Sequence, residues 1–299
     1  MNFKSIILIA ILIFISYGEP YHHGFGSISS SNQKDLANER VVYRVPNMDK
    51  VEVRRDVKYK IINDTALTMD IYYPPNLVIG SRLPVVIFIN GFSDEIIQKG
   101  ELKLKDMGIY ISWGKLTAAS GLIAITYETI QPDADTDSLI DYIRKNGSSL
   151  NIDPDRIGIW ACSGSVPTAL SVIKQESREY LRCAVLYYGL MITADQKYQA
   201  LIDSIAQKHG FYPGGLKDVE HLHHDVPLFV VRAGLDRYPD INQTIDHFLH
   251  EAVSRNDSIV FINYNDGRHA FDMDDDNDRS REIIKQTLEF MKTHLLFQK

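Results

Sequence analysis

Cysteine is scarce in this sequence: the chain of 299 residues contains 2, Cys162 and Cys183. So low a content excludes a small scaffold held together by several disulfide bonds. Cys162 lies in a turn of small residues and Cys183 opens a separate apolar segment. A disulfide bond needs a compatible Cα spacing and side-chain direction, which neither segment indicates. We therefore expect two buried free thiols.

A strong excess of charge of one sign is also absent. The sequence has 32 basic and 39 acidic residues, which gives a net charge of -7. No basic run or stripe is present that would bind the phosphates of a nucleic acid, and the charges are those of an ordinary solvated surface. Nucleic acid is therefore not expected as a partner.

Long hydrophobic runs are missing except at the N-terminus. There Lys4 precedes an almost unbroken apolar run at residues 6–15, and small residues follow before Glu19. The run is shorter than the roughly 20 residues that cross a bilayer, so a cleaved signal peptide at residues 1–18 is favoured over an uncleaved anchor. We predict a secreted or periplasmic protein without stable membrane insertion.

Beyond a loose, Ser-rich leader at residues 19–45, strands and helices alternate along a single predicted domain at residues 46–299. The first two strands form a hairpin that turns at Asn63-Asp64. Repeated strand–helix units indicate an α/β fold, with a mostly parallel sheet and helices on both faces, whose ligands bind beyond the carboxyl ends of the strands. The predicted strands are 51–59, 67–73, 85–89, 122–127, 157–162, 183–188, 228–232 and 259–264, and the predicted helices are 111–120, 135–146, 166–175, 247–254 and 280–296.

The turn after the fifth strand is the most informative segment of the chain. The apolar strand at 157–162 runs directly into small residues around Ser163. This is the layout of a nucleophile elbow, a strained strand-to-helix turn that presents a serine hydroxyl. The positions two residues either side must be small, and Ala161 and Ser165 stand where glycine is usual. Because turns of small residues also commonly connect a strand to a helix, the interpretation as an elbow needs support from other parts of the sequence.

That support comes from two residues downstream, each of which follows its own strand. Asp236 comes after the seventh predicted strand and a glycine turn, and His269 lies on the loop after the last strand. A serine nucleophile needs a base and an acid that orients the base, and on this kind of sheet the chain order is Ser, Asp, His. Ser163, Asp236 and His269 are therefore predicted to form a catalytic triad, with Asp240 as the reserve acid.

With these motifs, the chain from residue 45 to its C-terminus resembles the α/β-hydrolase superfamily, and most of all its dienelactone-hydrolase-like and secreted-esterase branches. In that family the turn after the third strand usually begins His-Gly, and a following backbone N–H helps to form the oxyanion hole. Here Asn90 replaces the histidine while Gly91 remains, so the backbone donors are still possible but the usual support of the loop is in question. The resemblance implies an oxyanion hole formed by the backbone N–H groups of Gly164 and Phe92. The stretches that carry the resemblance are 89–92, 157–165, 232–236 and 267–271.

Dienelactone hydrolases themselves use cysteine, so Cys162 is an alternative nucleophile. An elbow centred on Cys162 would put Trp160 two residues before it, where the turn has no room for an indole. An elbow centred on Ser163 has small residues on both sides. We therefore favour Ser163, with Cys162 packed beneath the turn as a small apolar residue.

Two clusters have the composition of metal sites without their spacing. A calcium loop that began at Asp272 would need glycine sixth and glutamate twelfth, where the chain has Asn277 and Ile283. We interpret this acidic segment as a lead-in to the last helix, whose N-terminus favours negative charge. No metal or cofactor is expected. The residues of the two clusters are Asp272, Asp274, Asp276 and Asp278, and His221, His223 and His224.

The sequence thus predicts an exported serine hydrolase that acts on small-molecule carboxylic esters. Two alternatives stay open, a serine peptidase of the same fold and a non-catalytic binding module, the latter motivated by Asn90 and the missing elbow glycines. The connection at residues 190–226 is too short for a large helical cap, yet long enough to shape a pocket. It predicts a modest, partly open pocket that prefers short acyl chains.

Overall fold

The structure is a computed structural model that describes residues 36–78, 80–94, 102–174, 178–191, 200 and 222–297. The predicted signal peptide, the first part of the predicted leader and most of the connection at 190–226 lie outside these residues. Among the helices of the described ranges, none is both long enough and apolar enough to cross a membrane.

Eight strands form one sheet at the centre of the molecule. They are β1 (Glu52–Ile62), β2 (Thr65–Tyr73), β3 (Leu83–Phe88), β4 (Ile123–Tyr127), β5 (Ile152–Cys162), β6 (Leu181–Tyr187), β7 (Leu228–Ala233) and β8 (Ile259–Tyr264). Their order across the sheet is β1-β2-β4-β3-β5-β6-β7-β8. The β1–β2 and β2–β4 pairs are antiparallel and the other pairs are parallel. The predicted α/β class and the hairpin at Asn63-Asp64 are confirmed.

The helices pack against this sheet. They are α1 (Gly108–Ala119), α2 (Pro132–Asn146), α3 (Val166–Lys174), α4 (Pro239–Ser254), α5 (Phe271–Asp274) and α6 (Asp278–Leu296). α1 packs against β2, β3 and β4, α6 packs against β3, β5 and β6, and α2 and α3 pack against each other.

Four helices, α1, α2, α4 and α6, begin earlier than predicted, and the difference is largest for α4. α2 begins at Pro132, and proline suits the first position of a helix because no intrahelical partner is needed there for its missing N–H. The Asp135 carboxylate accepts the N–H groups of Ile130 and Gln131, each at 2.7 Å, and so holds the turn into the helix. α4 likewise begins at Pro239. In α2 the apolar pattern starts at Leu139, after the first turn, whereas in α4 Ile241 and Ile245 are already buried and the prediction overlooked them.

The end of the predicted leader is not loose. Leu36 and Val41 are buried, with exposed fractions of 0% and 5%. The Val42 N–H donates to the backbone oxygen of Asp272 at 2.8 Å, far away in the sequence. The short apolar pattern around these residues was too weak to predict this packing, which makes them part of the domain.

A cluster of aromatic side chains lies inside the sheet-and-helix sandwich. The Trp113 ring of α1 packs on Trp160 of β5 at a centroid distance of 5.2 Å, and Trp160 packs on Tyr187 of β6 at 5.6 Å. Tyr187 in turn contacts Phe271 of α5 at 5.1 Å. This core links β5, β6 and the segment after β8, so it fixes the relative positions of the loops that follow these strands.

Candidate active site

The turn after β5 has the geometry of a nucleophile elbow. Ser163 has a φ of 52°, in the left-handed region that residues other than glycine rarely adopt. It begins a short 3-10 turn, Ser163–Ser165, that leads directly into α3. The nonstandard elbow residues Ala161 and Ser165 are both fully buried. The strained strand-to-helix turn predicted at Ser163 is therefore present without either usual glycine.

Ser165 has a contact that glycine would lack. Its Oγ accepts the backbone N–H of Gly91, in the turn after β3, at 3.1 Å. The two backbones are close here, because a Cβ added to Gly91 would lie 2.6 Å from the oxygen of Gly164. The hydroxyl at position 165 thus fastens the loop after β3 to the elbow.

The structure brings together the three residues that the sequence proposed as a triad. His269 Nε2 lies 3.0 Å from Ser163 Oγ, and His269 Nδ1 lies 2.6 Å from Asp236 Oδ2. All three are buried, with exposed fractions of 0% for Ser163, 2% for His269 and 9% for Asp236. An ionised Asp236 accepts a hydrogen bond from the N–H at Nδ1. The lone pair of Nε2 then faces the serine hydroxyl. The reserve acid Asp240 is exposed in the first turn of α4 and does not join them.

Backbone hydrogen bonds between two loops set Asp236 beside His269. The Gly234 N–H donates to Tyr264 O at 2.7 Å, and the Leu235 N–H donates to Gly267 O at 2.8 Å. The approach at Gly234 is too close for a side chain, since a Cβ there would lie 2.2 Å from the oxygen of Asn265. The glycine turn read from the sequence is therefore a steric requirement of the site.

Two tyrosine rings hold the imidazole on its sides. The Tyr188 ring lies 4.7 Å from the His269 ring, and the Tyr238 ring meets it edge-on at 5.4 Å. The Tyr238 N–H also donates to Asp236 Oδ1 at 2.9 Å, so both carboxylate oxygens of Asp236 are engaged. These contacts restrict the rotation of the imidazole.

Asn90 supports the loop after β3 in place of the usual histidine. Its side-chain amide donates to Tyr127 O at 3.2 Å and accepts from Tyr110 Oη at 3.3 Å. Its own N–H donates to Tyr127 Oη at 3.2 Å. Two residues on, the Phe92 ring packs so close to Gly164 that a Cβ added to Gly164 would lie 2.7 Å from it. Asn90 thus supplies the support that the replacement of histidine had put in question, and the two predicted oxyanion-hole residues are neighbours.

Both cysteines are buried and unpaired, as predicted. Burial raises the pKa of the Cys162 thiol far above its usual range, so this sulfur is not a thiolate at neutral pH. The imidazole of His269 bonds to Ser163 instead. Cys162 therefore lies beneath the turn and does not meet the requirements of a nucleophile.

The acidic segment before the last helix is more than the lead-in that the sequence predicted. Only Asp278 belongs to α6, whose N-cap is Asn277, whereas Asp272 is completely buried. The Asp272 carboxylate accepts from Trp113 Nε1 at 2.8 Å and from Tyr188 Oη at 2.6 Å. An aspartate three residues after the proposed base was a sequence signal, but only its tertiary partners separate it from the neighbouring acids.

The histidine cluster before β7 is divided between the described and the undescribed parts of the chain. His221 lies outside the described residues, while His224 is exposed and pairs with Asp257 at 2.5 Å. Across the described ranges, no group of three or more His, Cys, Asp or Glu side chains is arranged to hold a metal ion.

Comparison with known proteins gives matches of structure only. No family model and no curated protein sequence matches the chain. The native thermophilic esterase Est2 of Thermogutta terrifontis aligns with a TM-score of 0.62 at 16% identity, over 84% of this chain and 95% of that one. Its butyrate-bound form aligns with a TM-score of 0.63 at 16% identity, over 85% and 98%. A bacterial heroin esterase aligns with a TM-score of 0.63 at 14% identity, over 83% and 86%. The chain therefore has the α/β-hydrolase fold.

Proposed function

We propose that this protein is an exported serine hydrolase that cleaves carboxylic esters. The observation that carries the proposal is the continuous hydrogen-bond chain from Ser163 Oγ through His269 to Asp236, with lengths of 3.0 and 2.6 Å. Such a chain lets the imidazole remove the serine proton while the carboxylate holds its tautomer. The structural neighbours are named as esterases, which favours an ester over other acyl substrates.

The proposed mechanism has two halves. Ser163 Oγ attacks the ester carbonyl as His269 Nε2 takes its proton, and the backbone N–H groups of Gly164 and Phe92 stabilise the oxyanion. Each such donor is typically worth roughly 3–4 kcal/mol. The imidazolium then protonates the leaving alkoxide, and an acyl-enzyme on Ser163 remains. Water, activated by the same imidazole, releases the acid, while Asp236 stabilises the imidazolium in both halves.

Chemical labelling separates this proposal from a non-catalytic binding module. A fluorophosphonate probe should label the wild type and Ser171→Ala, a control on the outer part of α3, but not Ser163→Ala. Hydrolysis of p-nitrophenyl acetate and butyrate should follow the same pattern. Undiminished labelling of Ser163→Ala would contradict the assignment, and equal rates in wild type and Ser163→Ala would favour the binding module.

We further propose a preference for short acyl chains. Structures of the T. terrifontis esterase are known with propionate and with butyrate bound. Each methylene that a pocket cannot bury forgoes roughly 0.8 kcal/mol of binding. In a series from acetate to palmitate, kcat/KM should fall as the acyl chain lengthens. An optimum at eight carbons or longer would show a deep apolar channel instead.

The resemblance to the dienelactone-hydrolase-like branch belongs to the same proposal. It rests on the residues around Ser163, Asp236 and His269, with serine in the place of that branch's cysteine. An unsaturated lactone, tested beside the esters, therefore distinguishes this branch from the secreted-esterase branch. Ser163-dependent opening of the lactone would support this branch, whereas ester hydrolysis without lactone opening would favour the secreted-esterase branch.

Export is proposed from the N-terminal sequence alone. Lys4 and the apolar run at residues 6–15 have the order of a signal peptide. Expression of the full chain in a secreting host should yield a mature protein that begins at Glu19 in the medium or periplasm. Retention of residue 1 on a membrane-bound product would support an anchor instead.

A further inference from the structure

Asp272 is a buried carboxylate beside the proposed triad that the mechanism above does not use. It lies in α5, three residues after His269, and its exposed fraction is 0%. Between them Ala270 has a φ of 62°, in the left-handed region, and caps the start of α5. A carboxylate in such a place requires partners, because burying an unpaired charge is strongly unfavourable.

The partners of Asp272 favour its ionised form. Oδ2 accepts from the indole N–H of Trp113 at 2.8 Å, and the indole nitrogen can only donate. Oδ1 accepts from the hydroxyl of Tyr188 at 2.6 Å. Burial raises the pKa of Tyr188 well above its usual value, so this hydroxyl keeps its proton and donates. Burial by itself raises the pKa of Asp272, and the hydrogen bonds from Tyr188 and Trp113 oppose that rise. Each carboxylate oxygen thus accepts a hydrogen bond from a donor, as an ionised carboxylate needs.

Tyr188 connects this carboxylate to the base. Its ring packs on the His269 ring at a centroid distance of 4.7 Å. Its φ of 34° is strained, and its N–H donates to Val231 O at 2.8 Å. The tyrosine is therefore held at its backbone by β7 and at its hydroxyl by Asp272, with the imidazole against its face.

We propose that Asp272 is a positioning residue for the hydrolysis proposed above: it fixes Tyr188 against His269 and supplies a second buried negative charge that stabilises the imidazolium. The positive charge forms on His269 when Ser163 gives up its proton, and it disappears when the leaving group is protonated. A fixed anion in a buried site favours the charged step more than the resting state. This inference rests on the proposed function.

Three of the ionisable groups near Asp272 do not change charge at the pH of an activity measurement. Burial raises the pKa values of Tyr187, Tyr188 and Cys162 well above neutrality. Asp274 is the matched control: it lies on the same short helix, and burial raises its pKa to about 6. The ionisable groups that face Asp272 are Tyr187, Tyr188, Cys162, His269 and Asp274.

The test compares pH profiles of p-nitrophenyl acetate hydrolysis in wild type, Asp272→Asn and Asp274→Asn. Asp272→Asn should lower kcat about tenfold with KM nearly unchanged, since the interaction acts in the charged transition state. Its acidic half-activity pH should fall by about one unit, because loss of a nearby anion makes the imidazolium easier to deprotonate. Asp274→Asn should keep the wild-type midpoint. An unchanged kcat and midpoint in Asp272→Asn, or an equal shift in both variants, would overturn the inference.

A second variant keeps the inference open to refutation should Asp272→Asn not fold. Tyr188→Phe keeps the ring against His269 but removes the hydroxyl that Asp272 holds, so kcat should fall about fivefold without a change in KM. A wild-type kcat in a folded Tyr188→Phe would contradict the positioning role. Equal hydrolysis by wild type and Ser163→Ala would overturn the proposed function together with this inference. A rate that depends on Ser163 but is the same in wild type, Asp272→Asn and Tyr188→Phe would overturn this inference alone.

Discussion

At the scale of single residues, the elbow combines backbone strain with contacts that only its own side chains provide. A non-glycine residue at the φ of Ser163, 52°, is unfavourable by roughly 1–3 kcal/mol. The conformation persists because the surrounding structure holds it: the Leu190 N–H donates to Ser163 O at 3.2 Å, and Gly91 donates to the Ser165 hydroxyl at 3.1 Å. The departure from the usual glycine pattern is therefore compensated within the turn.

Replacing Ser165 tests that compensation. Ser165→Ala leaves the buried Gly91 N–H without its acceptor, which costs about 1 kcal/mol and loosens the loop after β3. We expect kcat for p-nitrophenyl butyrate to fall about fivefold with little change in KM, because the loop acts on the transition state. Ser171→Ala, on the helix α3 that follows the elbow, should keep wild-type kinetics. A wild-type kcat in Ser165→Ala would show that the hydroxyl does not position the loop.

At the scale of elements, the site depends on two loops that follow parallel neighbours, β7 and β8. Gly234 is their point of closest approach, and a Cβ there would lie 2.2 Å from Asn265 O. Gly234→Ala should push the loops apart and move Asp236 away from His269. A misplacement of about 1 Å can lower a rate about 100-fold, which we expect in kcat/KM for short esters.

The control for that change is Gly80→Ala. Gly80, unlike Gly234, has a positive φ, 84°, and a Cβ there would meet nothing within 4 Å. It should therefore show backbone strain alone, with kcat/KM within about twofold of wild type because the site is not moved. Similar losses of activity in the two variants would mean that a general loss of stability on replacing glycine, and not loop separation, is responsible.

Asp94 joins the turn after β3 to two other segments. Its carboxylate accepts the N–H groups of Leu104 and Thr129 at 2.7 and 2.8 Å. Burial raises its pKa from 3.8 to about 6. Since the raised pKa belongs to the folded state, folding takes up a proton between these pH values. The contribution of protonated Asp94 to the stability of the fold is therefore complete below pH 3.8 and is lost as the pH rises through about 6.

The measurement is the free energy of unfolding in urea at several pH values. Asp94→Asn cannot ionise, so from pH 4 to pH 7 its stability should rise relative to wild type by up to about 3 kcal/mol, at about 1.4 kcal/mol for each pKa unit. Asp64→Asn, at the exposed hairpin turn, is the control and should follow the wild type. A stability difference between Asp94→Asn and wild type that does not change with pH would refute the linkage.

At the scale of the whole molecule, the segment before β1 belongs to the domain. Leu36 and Val41 are buried, and the Val42 N–H reaches Asp272 O at 2.8 Å beneath the site. A chain that begins at residue 46 should be less stable than one that begins at residue 36 by roughly 3–6 kcal/mol, at roughly 1.5–3 kcal/mol for each of the two buried side chains. Thermal unfolding of the two chains measures this difference, and equal Tm values would show that the segment adds nothing.

Most of the architecture was predictable from sequence because its signals are local. Continuous apolar runs predict strands buried on both faces, and the spacing between runs predicts the helices that connect them. The chain order of Ser163, Asp236 and His269, each after a strand, then indicated a common edge of the sheet, since parallel strands end on the same side. The helix start at Pro132 was missed because the first turn carries polar residues, and the start at Pro239 was missed although Ile241 and Ile245 continue the apolar pattern towards it.

The sequence by itself therefore determined the α/β class, the elbow and the residues that meet at the end of the sheet. Only the tertiary structure decided what supports them. The supports are the hydrogen bonds of Asn90 with Tyr127, of Ser165 with Gly91, and of Asp272 with Trp113 and Tyr188. The physical reason is sequence distance. Trp113 and Asp272 are 159 residues apart, and periodicity reports which face of an element is buried but not which side chain lies opposite it.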